Sequence, residues 1–418
     1  MTFKSRLTTA IATGAVLVNA LAPLAMADST ITVAGNGADS HSGVNVSNNS
    51  VANVTQTNVA NITNNVTSNA STGGNSSSFN TGGNTTINTG AANSTVNVTN
   101  AANANQANLS GGGDGSATNV TVGGSDPMSG NGAFSGNGVN VTNNNETFLN
   151  QTNAADYNNN VTSNATTGGN DSSFNTGGSS NVTTGNASNT VSVNNAANAN
   201  VATIGDGGDG SSDPSSVTIA GNGAFSGNKV NLNQGSAVVL DQANVATIDN
   251  NVKANAKTGD NTSKFDTGGD NSIGTGDATD NVTVNNLANF NAAGIDSDYT
   301  VGGGLGVNVA GNGDQSWNAV NATADNAVFP DQENAAGLGN QVSGGAGTGV
   351  NNVGFGTAGD NSVTTGAGSS STTVGNGGNV NVLDNGTSFT LPGNWNVGVN
   401  FDLSGLTAFL NGLNGLVI

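Results

Sequence analysis

Asn64-Asn65-Val66-Thr67-Ser68-Asn69-Ala70 returns as Asn159-Asn160-Val161-Thr162-Ser163-Asn164-Ala165, and again, altered, as Asn250-Asn251-Val252-Lys253-Ala254-Asn255-Ala256. Other markers keep the same step. Gly35-Asn36-Gly37 recurs at Gly130, Gly221 and Gly311, and one phenylalanine recurs at Phe79, Phe174, Phe265 and Phe355. Steps of 95, 91 and 90 residues divide the chain into a leader (1–27), four copies (28–117, 118–215, 216–298 and 299–383) and a different tail (384–418). Self-similarity at a fixed period is the signature of repeat architectures. Gly/Asp/Ser-rich stretches at 110–115 and 205–214 separate the first three copies and read as loops or short linkers.

A shorter period lies inside the long one. In the third copy Leu232, Leu240, Ile248, Ala256, Phe265, Ile273 and Val282 stand 8, 8, 8, 9, 8 and 9 residues apart, and all are apolar. Val46, Val54, Ile62, Ala70, Phe79, Ile87 and Val96 repeat the series in the first copy. A helix face would need apolar residues every three and four positions. A spacing of eight to nine fits short strands joined by tight turns, and local alternation such as Val96-Asn97-Val98 has the strand period of two. Turn chemistry falls between strands at Thr72-Gly73-Gly74-Asn75 and Thr81-Gly82-Gly83-Asn84.

The fold expected is therefore all-β: a β-solenoid of short strands in four copies of about ninety residues. Two segments per turn would give coils of roughly 17 residues and a rod on the order of 100 Å long. Tandem β-sandwich domains are the alternative, since ninety residues is close to the size of an immunoglobulin-like domain.

Composition agrees with a fold that needs little core. Of 418 residues 64 are Gly, roughly a fifth are Asn, aromatics are 4% and charged residues 8%. Leu, Ile, Val and Phe together make about a fifth, near the limit at which a chain stays disordered. Ladders of stacked Asn, Ser and Thr can supply the missing cohesion. The net charge of −20 with six basic residues argues against nucleic acid as a partner. With no cysteine there is no disulfide framework and no thiolate chemistry.

Lys4 and Arg6, the apolar run Leu7–Leu21, Pro23 and Ala25-Met26-Ala27 have the order of a secretory signal peptide. The mature chain would begin at Asp28 and carry four lysines against 26 acids. No second hydrophobic span follows, so a secreted, extracellular product is expected, free or held at the cell surface without a transmembrane segment.

Sites of chemistry are sparse. The single histidine, His41, lies beside Ser40, Ser42 and Asp39 on one short segment, whereas a catalytic triad is assembled from separate elements. No recurring carboxylate pair, P-loop or zinc cluster is found, so no enzyme is expected. Asp260, Asp270 and Asp277 occupy successive Thr-Gly turns of the third copy and are candidate calcium ligands in the manner of a calcium β-roll. Lys253, Lys257 and Lys264 lie in the same copy and can neutralise them. The loop Asp206–Asp213 is a second calcium candidate. Calcium is the one cofactor this reading admits.

On these features the chain resembles the repetitive Asn/Gly/Thr-rich secreted bacterial surface or matrix β-solenoids of the curlin-like and repeat-adhesin type, though without a recognisable curlin glutamine ladder. The resemblance implies an extracellular structural or adhesive protein, a cell-surface or biofilm-matrix fibre subunit without catalysis. An ice- or glycan-binding solenoid is the alternative. Phe79, Phe174, Phe265 and Phe355 are expected to anchor each copy from within the core. The tail, with Trp395, Val397, Val399, Phe401 and Leu403 alternating without a gap, reads as a capping or docking element for end-to-end self-association.

Overall fold

A computed structural model describes residues 8–13, 16–18, 29–110, 118–124, 130–205, 214–295 and 303–384. Among them every regular element is a strand. Two short strands, β1 (Thr8–Thr13) and β2 (Val16–Val18), come first. Then comes a set of four: β3 (Ser29–Val33), β4 (His41–Gly73), β5 (Thr85–Thr89) and β6 (Ala92–Ser110). The set repeats as β7 (Thr118–Gly123), β8 (Gly136–Gly168), β9 (Ser180–Thr184) and β10 (Ala187–Gly205). The third set gains a short strand: β11 (Pro214–Ala220), β12 (Gly227–Lys257), β13 (Thr262–Lys264), β14 (Asn271–Thr275) and β15 (Ala278–Ile295). The fourth is β16 (Gly303–Ala310), β17 (Trp317–Gly347), β18 (Asn352–Gly354), β19 (Asn361–Thr364) and β20 (Gly368–Asp384).

Among the described residues strands pair only in parallel, and from β3 onward each pairs with its equivalent one copy away. His41 lies opposite Gly136, Gly227 and Trp317, and Val96 opposite Val191, Val282 and Thr372. The long period of the sequence is thus the length of one coil: each copy is a single rung of a β-solenoid. This corrects two expectations. The strands are not short, since β4 and β8 each run for 33 residues without interruption, about 100 Å at the usual rise. Nor do seventeen-residue coils stack into a long rod. Four rungs at the usual inter-strand spacing rise only about 15 Å, so the molecule is a slab, wide across the axis and thin along it.

Within a rung the chain folds back on itself. Along β4 the inward residues are every second one, and β3 and then β6 face them from the opposite side. Ile31 and Val33 pack with Val44 and Val46 at one end. Val66, Val96 and Val98 pack in the middle of the β4–β6 half, and Ala70 meets Ala92 at its far end. The eight-to-nine spacing marks points along these long strands: Leu232, Leu240, Ile248, Ala256, Ile273 and Val282 are all essentially buried. Among the described residues no segment is helical, and 236–257 lies within β12.

The turn leaving the long strand uses glycine because nothing else fits. Gly73 and Gly168 have φ of 119° and 107°, and a Cβ on either would lie 1.9 Å from the carbonyl oxygen of Gly168 or Gly259 in the rung above.

Candidate functional site: amide columns, aromatic columns and open ends

Between the apolar points the core is filled with amides. Gln151 Nε2 donates to Gln56 Oε1 at 2.7 Å, Gln242 Nε2 to Gln151 Oε1 at 2.7 Å, and Gln332 Nε2 to Gln242 Oε1 at 2.7 Å. A glutamine ladder therefore runs through all four rungs, where the sequence reading found none. One glutamine per ninety residues is hard to see until the long period is laid out rung on rung. Asparagines form longer arrays. Asn64 donates to Asn159, Asn159 to Asn250 and Asn250 to Asn340, at 2.7, 2.8 and 2.8 Å. Cross-bonds tie this column to the one facing it from β6, as from Asn64 to Asn100 at 2.8 Å. Burying an amide is tolerable only when its donors and acceptors are satisfied, and translation by one rung satisfies them in series.

One column carries a backbone signature. Asn103, Asn198, Asn289 and Asn379 all have positive φ, near 60°, a conformation asparagine accepts more readily than most side chains. The kink turns each side chain inward. Asn103 Nδ2 donates to Asn198 Oδ1 at 3.0 Å and to the Ala154 carbonyl at 2.6 Å, across to the facing sheet one rung up. Asn198 and Asn289 repeat the pattern with Val245 and Ala335.

The recurring phenylalanines are not in the core, and the expectation that they are buried anchors is corrected. Phe79, Phe174, Phe265 and Phe355 lie at an outer turn, 76%, 47%, 46% and 72% exposed. They do stack, with centroids 5.0, 5.0 and 4.9 Å apart and nearly parallel planes. All four have φ between 57° and 65°, which for a bulky aromatic is a true outlier and costs energy. The left-handed turn throws the ring outward, and apolar spacing alone carries no sign of that reversal. Phe134 and Phe225 make a second stacked pair, also at positive φ, at the turn before the long strand.

The candidate calcium ligands each accept a backbone amide. Asp260 Oδ1 accepts from the Val350 amide at 3.0 Å, Asp270 Oδ1 from the Asp360 amide at 2.9 Å and Asp277 Oδ1 from the Ala367 amide at 2.8 Å. Each fastens its turn to the rung above. Lys257 forms an ion pair with Asp260, and that bond, with the Val350 amide, holds the Asp260 carboxyl below its ordinary value. Among the described residues no three His, Cys, Asp or Glu side chains converge as a metal site. Asp206–Asp213 and the tail residues Trp395, Val397, Val399, Phe401 and Leu403 lie outside the described residues, as does the expected cleavage site Ala25-Met26-Ala27.

The remaining feature is the pair of ends. The lower edge of the first rung and the upper edge of the fourth are the two surfaces at which the stack stops. On β6 the lower edge carries β1 and β2, paired in parallel from Thr8 opposite Val96 to Val18 opposite Gln106, so this edge accepts an added strand. On β17 the upper edge holds a proline. The Trp317 amide donates down to Ser226 and the Gly347 carbonyl accepts from Thr258 below. Parallel pairing turns alternate residues to opposite neighbours, and the register is unbroken between those two. Odd-numbered residues therefore face the third rung, and Pro330 faces the open edge, where its missing N–H costs no bond.

Architecture and columns together define an all-β, parallel β-solenoid with a rung of about ninety residues, built from amide ladders. No family model matches the chain, and neither a curated protein nor a solved structure matches it.

Proposed function

We propose that this chain is an extracellular structural or adhesive repeat protein, the subunit of a cell-surface or matrix fibre, exported by its leader and working without catalysis. The observation that carries this reading is the continuity of the columns to both ends. Gln56 and Gln332, Asn64 and Asn340, Asn103 and Asn379, and Phe79 and Phe355 bring the same side chains in the same register to the lower and the upper surface. Unpaired strand edges of this length invite addition of further strands. A stack that repeats by translation can continue past four, with Pro330 on the upper edge of β17 slowing the next addition. Negative-stain microscopy of the exported protein tests the reading: filaments that lengthen with time are expected, and particles that stay single at all concentrations would refute it.

Glycan binding is the second reading. Asn45, Asn140, Asn231 and Asn321 form an outward column on the long sheet, linked at 2.8, 2.5 and 3.0 Å, and give that face a regular row of amides. A glycan array with the assembled protein tests it.

A further inference from the structure

We propose that copies join head to tail, the fourth rung of one molecule against the first rung of the next, through a joint keyed by residues that differ from those of the inner rungs. The proposal rests on the fibre reading above and specifies its contact.

The first observation is an unsatisfied atom. Asn103 is 1% exposed and its Oδ1 has no partner. In every rung above, the equivalent oxygen accepts from the asparagine below it in the column. The donor that completes the series is Asn379 Nδ2, at the upper surface. A second molecule set on the fourth rung in the same register brings Asn103 Oδ1 and the Val59 carbonyl to Asn379, the two acceptors that each inner asparagine of the column already has.

The second observation is at the turn that enters the long strand. Inner rungs carry Phe134 and Phe225 there, then Gly136 and Gly227 two residues on. The end rungs carry Asp39 and His41 below, and Gln315 and Trp317 above. Asp39 and Gln315 keep the left-handed φ, 55° and 56°, of the two phenylalanines, 57° and 55°. The backbone series also runs to the edge: the Asp39 amide donates to Ala133, Phe134 to Ala224 and Phe225 to Asp314. In the joint Gln315 comes beside Asp39, an amide donor against a carboxylate, and Trp317 beside His41, indole against imidazole. The inner rungs, with glycine at that column, offer no such pair.

The third observation sets direction. The described first rung has one acid, Asp39. The fourth rung carries Asp314, Asp325, Asp331, Glu333 and Asp360, and in this register they meet Ala38, Asn49, Thr55, Thr57 and Asn84. Two fourth rungs face to face would bring acids together, and the columns would lose their order of donor and acceptor. The joint also needs the lower edge of β6, which β1 and β2 occupy, so it belongs to the exported chain from which the leader has been cut.

The absence of cysteine makes the test clean. Ser47 and Thr323 are exposed and belong to one outward column. Across the joint their Cα atoms would be about 4.8 Å apart, within reach of a disulfide. The full chain carrying S47C and T323C, exported by a bacterial host and oxidised after assembly, should give a ladder of covalent multimers on a non-reducing gel. The mismatched pair S47C with S371C should not. Q315D, which sets two carboxylates together, should slow filament growth at least tenfold, and D39N added to it should restore the rate. Filaments whose matched pair fails to cross-link, or cross-links no better than the mismatched pair, overturn the joint and leave the fibre reading standing. No assembly by the parent protein overturns both.

Discussion

Asn159 and Asn340 sit in the same column, two rungs apart, and live in different worlds. Asn159 is fully buried. Its Oδ1 accepts from Asn64 and Asn100, and its Nδ2 donates to Asn195 and Asn250. Asn340, at the upper end, is half-buried, accepts from Asn250 and Asn286, and donates to Asn376 at 3.2 Å. The same residue in the same backbone is a cross-braced core member in one place and the end of an unfinished line in the other. In a fold that repeats by translation, stability belongs to the inner rungs and reactivity to the outer ones.

The largest expected effect breaks that comparison directly. Asn159→Ala removes four hydrogen bonds from a dry core and leaves Asn64, Asn100, Asn195 and Asn250 each with one of the two bonds they shared there, at ~0.5–1.5 kcal/mol for each bond lost. A loss of about 3–6 kcal/mol is expected, and about 1 kcal/mol for Asn340→Ala, whose neighbours can turn to water. Hydrogen exchange should place the first loss in the second rung and those touching it, because a solenoid responds locally. Equal losses for the two variants would mean that the inner amides are no better held than the outer ones.

The aromatic column is the next test, and it separates outside from inside. Phe174 touches ring neighbours on both sides but is about half exposed. Phe174→Ala removes two stacked pairs, at ~0.5–1.5 kcal/mol each, and keeps the left-handed backbone. Phe174→Gly removes the same pairs but releases ~1–2 kcal/mol of backbone strain. The alanine variant should therefore lose about 1–3 kcal/mol, and the glycine variant should unfold within about 1 kcal/mol of the parent. A buried Leu240→Ala, at ~2–5 kcal/mol, is the internal standard. If glycine proves worse than alanine in urea unfolding, the positive φ is not a strain that the column has to overcome.

These contrasts also mark how far the sequence could be read. The steps of 95, 91 and 90 residues are the inter-rung register itself, and six of the seven points from Leu232 to Val282 face inward as spacing implies. What failed was the assignment of the two periods. A spacing of eight or nine looked like a coil of strand and turn. In the molecule it marks points along strands that alternate throughout, with Gln234, Gln242, Asn244 and Asn250 among the inward positions between them. A polar inward residue is invisible to any pattern that equates burial with hydrophobicity. Phe79 and its equivalents failed for the opposite reason: a left-handed residue reverses the face, and only the torsion reveals it. The Gln56 ladder needs four aligned rungs before one residue in ninety becomes a line.

A smaller effect distinguishes two aspartates of the third rung by pH. Asp280 is fully buried, its oxygens accepting from Asn189 Nδ2 at 2.7 Å and the Gly345 amide at 2.9 Å. Burial pushes its pKa above 3.8, against those bonds. A carboxyl with a raised folded pKa takes up its proton sooner folded than unfolded. Its protonation therefore adds stability as pH falls from the raised value toward 3.8, and that gain is absent at neutral pH. Asp260 has the opposite sign: its lowered pKa gives a contribution present above 3.8 and lost as pH falls through the folded value. Because Asp260 is exposed and screened, its share should be the lesser. Urea unfolding at pH 7 and pH 4.5 should show the parent gaining on Asp280→Asn as the solution is acidified. Parallel shifts in the two proteins would remove Asp280 as the source.

Least in stability, but most telling for the ends, is Pro330. Its inner-rung equivalents are Leu149 and Leu240, both buried, and Val54 stands there in the first rung. Leucine at 330 would restore the apolar series and supply an N–H directed at the open upper edge. In the single molecule that N–H would simply face water, so Pro330→Leu should move the unfolding midpoint little, within about 0.5 kcal/mol, as exposed substitutions commonly do. In a stack the same group would complete a ladder bond to the next molecule, and proline on an edge is a known brake on such pairing. Filament growth should accordingly quicken while unfolding of the separated protein stays put. Light scattering during assembly and urea unfolding below the assembly concentration measure the two quantities independently. If growth is unchanged, the edge of β17 is not where molecules meet. If stability moves as much as growth does, Pro330 belongs to the core of its rung, and the division between inner and outer rungs has been drawn one residue too far in.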